Sequence, residues 1–240
     1  MQCALCLRER ELEFSHIIPE FLYKSSYDDK HRLHFLSTIP EEKNQLKQKG
    51  EREYLLCTEC EGLFSKYERY GSLLLSGRLQ MQVERDDNLL ILSGIDYRKF
   101  KIFQLSILWK AGVSTLPLFE RVQLGPHAES IRQLLISEDP GLAEQYACIM
   151  WLLATSTGVV PRFITQPTAL RSLGVRAYKF IMAGLMWQYF VTSQKPGYPF
   201  QYCILRETGE AIMQFGDINE MCDLRIFAQQ ISRLGRAPKP

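Results

Sequence analysis

Two Cys-x-x-Cys pairs, Cys3/Cys6 and Cys57/Cys60, constrain this chain more than any other feature of its sequence. The two-residue spacer lets both sulfurs of a pair reach one ion, and two such pairs supply the ligands of a closed tetrahedral zinc site. Closing that site draws together segments 51 residues apart and fixes what is threaded between them, including Ser15-His16-Ile17-Ile18-Pro19. A four-sulfur zinc has no open coordination position, so it builds the fold and performs no chemistry itself. Cys3, Cys6, Cys57 and Cys60 stand among charged neighbours, unlike Cys148, Cys203 and Cys222, whose apolar surroundings mark them as buried packing residues. Thiols arranged this way suit a reducing compartment and a metal better than a disulfide framework, so a cytoplasmic location is expected.

The 240 residues suffice for a sizeable core. A change of character near residue 79 divides the chain into a zinc-binding part, 1–78, and a larger α+β part, 79–240. With no apolar h-region before Cys3, no signal peptide is expected. Of the two most apolar stretches, Tyr146–Leu153 is too short to cross a bilayer, and Lys179 and Gln188 interrupt Tyr178–Val191, so no membrane partner is expected. Charge is nearly balanced: residues 1–78 hold 12 Lys and Arg against 13 Asp and Glu, leaving 17 against 14 for the rest of the chain's 29 and 27. Tight autonomous binding of nucleic acid usually comes with a basic surface, and none is visible here.

Along the chain, Leu12–Ile18 alternates as a half-buried strand, and Glu20–Lys24 opens a short helix behind Pro19. Residues 25–53 form a polar excursion with one strand at Arg32–Ser37 and a mixed set of charges that includes Lys43, Asn44 and Arg52. They are either a solvated loop or a loop that orders on a nucleic-acid strand. The apolar positions 63, 64, 67 and 70 predict a helix after Cys60, with Glu61 in its first turn and Glu68 two turns on along the same face. Leu79–Glu84 and Leu89–Leu92 flank Asp86-Asp87-Asn88 as a hairpin. Asp96–Gly112 is an amphipathic helix with Asp96 as N-cap, and Pro126–Ser137 is a second helix. Tyr146–Thr155, Ala177–Thr192, Phe200–Arg206 and Ala211–Phe215 read as strands, the last two joined through Glu207-Thr208-Gly209-Glu210. Met221–Leu234 closes as a helix before a tail. There is no Gly-rich phosphate loop and no nucleophile elbow.

The order Cys3-x-x-Cys6, Ser15-His16-Ile17-Ile18-Pro19, then Leu56-Cys57-x-x-Cys60 entering a helix resembles the zinc-containing HNH endonucleases over residues 1–75. The resemblance implies an α+β chain: an N-terminal zinc-bound ββα-metal (treble-clef) module followed by a larger mixed α+β domain. It implies a hydrolase acting on phosphodiester bonds, with His16 as general base and a catalytic Mg²⁺ or Mn²⁺ beside the structural Zn²⁺. Nucleic acid is the implied substrate, DNA ahead of RNA, and such nucleases serve as effectors of bacterial or phage defence systems. Carried over by position, His16 matches the base, and Glu61 stands directly after the last Cys, where the family places a His or Asn that helps hold the ion. His16 and Glu61 are therefore the candidate ligands of the divalent ion. Ser15 replaces the usual ligand Asp, and Glu68 is the carboxylate available to replace it. Asn44, thirteen residues before Cys57, is the loop's only Asn.

A competing reading keeps the scaffold and drops the chemistry. In it His16 hydrogen-bonds a backbone carbonyl beside the zinc, Glu61 and Glu68 are solvated helix charges, and Tyr67 and Tyr70 pack rather than stack on a base. The chain is then a catalytically inactive zinc-binding module that docks protein or nucleic acid, with residues 79–240 as the surface for a protein partner.

Overall fold

The computed structural model describes residues 1–36, 45–87, 89–154, 164–194 and 200–217; the expected helix Met221–Leu234, Cys222, Lys43 and Asn44 lie outside them. The N-terminal strand β1 (Leu12–His16) pairs antiparallel with β4 (Arg52–Cys57), and α1 (Thr58–Leu75) follows β4 without a loop. A bulge after Glu13 shifts the register, so that Phe14 faces Tyr54, Ser15 faces Glu53 and His16 faces Arg52. Pro19 turns the chain into two short 3₁₀ turns, Glu20–Leu22 and Lys24–Ser26, in place of the expected helix. The polar excursion contributes β2 (Leu33–Leu36) and β3 (Gln45–Lys47), which form a three-stranded sheet with β8 (Ile164–Thr165).

The element expected as an amphipathic helix, α2 (Tyr97–Val113), is instead the buried axis of the molecule. Asp96 caps it as expected, accepting from Lys99 N. Every residue from Phe100 to Ala111 is buried, including Lys101, Gln104, Ser106 and Lys110. Helix α1 crosses α2 closely at Gly71, where an added Cβ would stand 2.7 Å from the Phe103 ring. Helix α3 (His127–Ile136) packs on the same axis through Ile131 and Leu135. The seven-stranded sheet runs β5-β6-β12-β7-β11-β10-β9, with β5 (Gln82–Asp86), β6 (Leu89–Ser93), β7 (Cys148–Ala154), β9 (Thr168–Ser172), β10 (Val175–Met182), β11 (Leu185–Phe190) and β12 (Ala211–Asp217). All its pairings are antiparallel except β12 with β7.

Several expectations are corrected. Ala177–Thr192 is two strands, not one, because Ala183 and Gly184 turn the chain at φ 54° and 74°. Phe200–Arg206 is not a strand: it contains the 3₁₀ turn Phe200–Tyr202, and β12 pairs with β6 and β7 instead. Cys148 is buried, but Cys203 is only partly so. The line drawn at residue 78 crosses a continuous core that includes Ile17, Leu22, Phe64, Phe103, Trp109 and Trp187. Among the described residues no helix is long and apolar enough to cross a membrane.

Candidate functional site

The four paired cysteines converge. Leu7, at φ 60°, turns the chain after Cys6, and Leu7 N donates to Cys3 O at 2.9 Å. Ala4 N donates to Leu55 O at 3.0 Å, which docks this turn on β4. Cys57 ends β4 and is the residue before α1, so Cys60 falls in the first turn of the helix. All four sulfurs lie within 4.8 Å of one another, with Cys6 and Cys57 at 3.9 Å. A tetrahedron with Zn–S of about 2.3 Å has sulfurs about 3.8 Å apart, so the set can hold a metal ion such as zinc. Cys57 N also donates to Cys3 Sγ at 3.3 Å.

Charge at the cluster favours one thiolate and opposes another. Burial pushes the Cys6 thiol up, but hydrogen bonds from Arg8 outweigh it and leave it at about 6. Burial and the neighbouring thiols push Cys60 well above its usual range. Four close sulfurs cannot all ionise without a cation among them, which is what metal binding supplies. Arg8 and Arg10 are held beside the cluster by Glu59, at 2.8 and 3.0 Å.

His16 ends β1 with its side chain 17% exposed. Arg52, across the hairpin, donates from Nε to His16 Nε2 at 3.0 Å. Glu20 Oε2 lies 2.5 Å from the same nitrogen, yet this oxygen is buried and has no hydrogen-bond partner. The contact is therefore an approach of two acceptors, which only a proton or another cation between them can make favourable. Burial first, and then Arg52, holds the His16 ring below its usual range against the opposing pull of Glu20.

The helix brings two carboxylates to the same place. Glu61 lies against the Ser15 side chain; burial raises its carboxyl, and Lys110 and Ser15 do not cancel the effect. Its Oε1 is buried without a partner. Glu68, two turns on, accepts from Lys110 Nζ at 2.8 Å, and Lys110 also donates to the His16 carbonyl at 3.1 Å. The buried Lys110 ammonium thus links Glu68 to the His16 backbone and lends its charge to Glu61, against which Ser15 lies. The backbone carbonyl of His16 accepts from Lys110, and its ring accepts from Arg52 at Nε2. Glu68 is committed to Lys110 rather than open to an ion.

Three members were not found by sequence reading. Glu20 stands one turn past His16, hidden behind Pro19. Arg52 looked like one loop charge among many, and only the strand register puts it opposite His16. Lys110 gave no local signal, lying 94 residues from His16. Among the described residues the four cysteines are the one group of three or more His, Cys, Asp or Glu whose ligand atoms all come within such reach. A separate surface cleft of about 480 Å³ is lined by Lys66, Tyr67, Asp96, Arg98, Lys99 and Glu138. Its carboxylates are occupied by Lys66, Tyr67 and Lys99. Tyr67 and Tyr70 are both tied down, Tyr70 Oη accepting from Asp96 N at 2.7 Å. The chain matches no protein family, no curated protein and no solved structure with which it was compared.

Proposed function

We propose that this chain is a metal-dependent nuclease of the HNH type, with Cys3, Cys6, Cys57 and Cys60 on a structural Zn²⁺ and His16 as general base. The observation that supports it is an imidazole at the end of β1, held below its usual range, with a buried carboxylate oxygen of Glu20 that has no hydrogen-bond partner beside it and a second such oxygen on Glu61 of α1. The strand–strand–helix order around the four cysteines agrees with a ββα-metal module. Orphaned buried carboxylate oxygens are rare and invite a hard cation. Glu61, whose Oε1 is buried without a partner, is the group that would hold Mg²⁺ or Mn²⁺, which would supply positive charge to the phosphate under attack.

The chain's own residues account for the rest. Arg52 turns its N–H groups from His16 Nε2 to a phosphate oxygen, which frees the ring lone pair. His16 takes a proton from water as the water oxygen bonds to phosphorus, the bond to the leaving oxygen breaks, and solvent protonates that oxygen. Glu20, 2.5 Å from Nε2, stabilises the imidazolium so formed. Protein loaded with zinc and supplied with Mg²⁺ or Mn²⁺ should cleave DNA or RNA, and His16→Ala should abolish cleavage with zinc content unchanged. A variant that cuts as fast as the wild type refutes the assignment.

A second reading, a non-catalytic zinc module that docks partners, is favoured by Lys110, whose ammonium already neutralises Glu68 within the cluster. It requires that titrating Mn²⁺ into zinc-loaded protein give no saturable binding and that no nucleic acid be cut.

A further inference from the structure

Among the described residues three aromatic residues are about half exposed or more, Phe14 at 54%, Tyr54 at 57% and Tyr202 at 49%. Phe14 and Tyr54 form a pair on the hairpin that carries His16, with ring centroids 4.9 Å apart. Side chains alternate along a strand, so from Phe14 onward one face presents the Phe14–Tyr54 rung and then the His16–Arg52 rung. The separation between these rungs is two residues, about 7 Å. The bulge after Glu13 creates this strip, because regular pairing would set Phe14 against Leu55, which is buried.

Glu20 is the carboxylate at the His16 end of this face, and the other two nearby are turned or tied elsewhere. Glu53 belongs to the other face and is held by Ser114 and Thr115. Glu13, before the bulge, accepts from Thr58 Oγ1 at 2.6 Å. A cross-strand aromatic pair does stabilise a hairpin, but burying those rings in the core would do more. Two rings left more than half exposed, one rung from a guanidinium and a base, suit a ligand with both flat faces and phosphates.

Resting on the nuclease reading, we propose that Phe14 and Tyr54 are a stacking platform for a base of single-stranded nucleic acid, next to the phosphate that Arg52 and His16 engage. A duplex keeps its base faces stacked on one another and offers none to a ring, whereas a single strand offers every base. The platform therefore selects single strands, or unpaired ends and loops, over duplex.

The test measures binding of zinc-loaded, full-length protein to short fluorescent single-stranded DNA, single-stranded RNA and blunt duplex, without Mg²⁺ so that nothing is cut. A Phe14→Leu/Tyr54→Leu variant keeps apolar side chains on the hairpin and removes the π faces; zinc content and circular dichroism confirm its fold. Single-strand affinity should fall about 5- to 150-fold for loss of one stacked base, with duplex binding unchanged. Phe14→Tyr should bind like the wild type, and a 2-aminopurine in the strand should be quenched by the wild type and not by the double-Leu variant. Equal single-strand affinity in wild type and double-Leu variant overturns the platform, as does wild-type preference for duplex. If the wild type cleaves and the double-Leu variant matches its KM and kcat on single strands, the platform falls and the nuclease stands. If nothing is cut but single-strand binding still depends on the two rings, the nuclease falls and the platform stands.

Discussion

Two lysines of α2 are buried with opposite electrostatic surroundings. Lys110 has a carboxylate partner in Glu68, whereas Lys101, 1% exposed, donates only to the carbonyls of Ala143 and Tyr146, at 3.3 and 3.1 Å. Without a counterion in contact, burial pushes Lys101 down from 10.5 to about 8, although Cys148, Glu207 and Glu144 pull the other way. Between those values the unfolded chain holds a proton that the folded protein has released, so stability from this group rises with pH across the window and is lowest below it. Cys148, held far above its usual range by burial, stays a neutral thiol throughout. Comparing the wild type with Lys101→Met cancels most other titrations. The difference should shift toward the wild type by roughly 2–3 kcal/mol from pH 8 to pH 10.5, since each unit of pKa is about 1.4 kcal/mol. Denaturant midpoints over that range measure it, and a pH-independent difference would contradict a charged Lys101 at neutral pH.

The element that depends most on the metal is the hairpin with its helix. Cys57 precedes α1 with no side-chain cap, and serine is a favoured residue at that position, so Cys57→Ser spares the helix start while deleting one ligand. Structural zinc sites bind with about 10–16 kcal/mol, comparable to the net stability of a whole domain, about 5–15 kcal/mol. The variant should lose its zinc by metal analysis and most of its helical signal on mild heating; full stability without metal would mean that packing alone holds β1, β4 and α1. The cysteines, Ser15, His16, Glu61 and Glu68 were legible because each belongs to a local pattern: a two-residue spacer, a motif, a helical repeat. β1, α1, α3 and the β5–β6 hairpin were legible for the same reason. The β10–β11 turn was not, because Ala183 sits in a left-handed conformation that alanine rarely takes. Helix α2 showed an apolar stripe but not its burial all round, because its buried lysines, Lys101 and Lys110, find partners distant in sequence. Arg52 and Lys110 belong to the site through register and packing, which no single stretch of sequence encodes.

At the scale of the whole molecule, the sequence boundary at 78 separates residues that the core joins. Phe64 of α1 meets Trp109 of α2 at 6.3 Å, edge to face, and Phe21, just past the His16 motif, stacks on Phe103 at 5.8 Å. β2 of the first part pairs with β8 of the second, and Lys110 reaches back to Glu68 and His16. A fragment of residues 1–78 would keep all four cysteines and so keep its affinity for zinc, but it would expose Phe21, Phe64 and Tyr67 to water. Each such side chain is worth about 1.5–3 kcal/mol of burial, and a module this small has little net stability to lose. The fragment is therefore expected to bind zinc without folding cooperatively: amides of α1 should exchange fast and heating should give no sharp transition. The full chain should unfold in one step, with zinc released in that step and not before. Hydrogen exchange on the fragment and a metal-release assay during melting of the full chain decide the matter. Slow exchange and a cooperative melt in the fragment would restore the two-domain division and make Lys110 an accessory to a module that stands by itself.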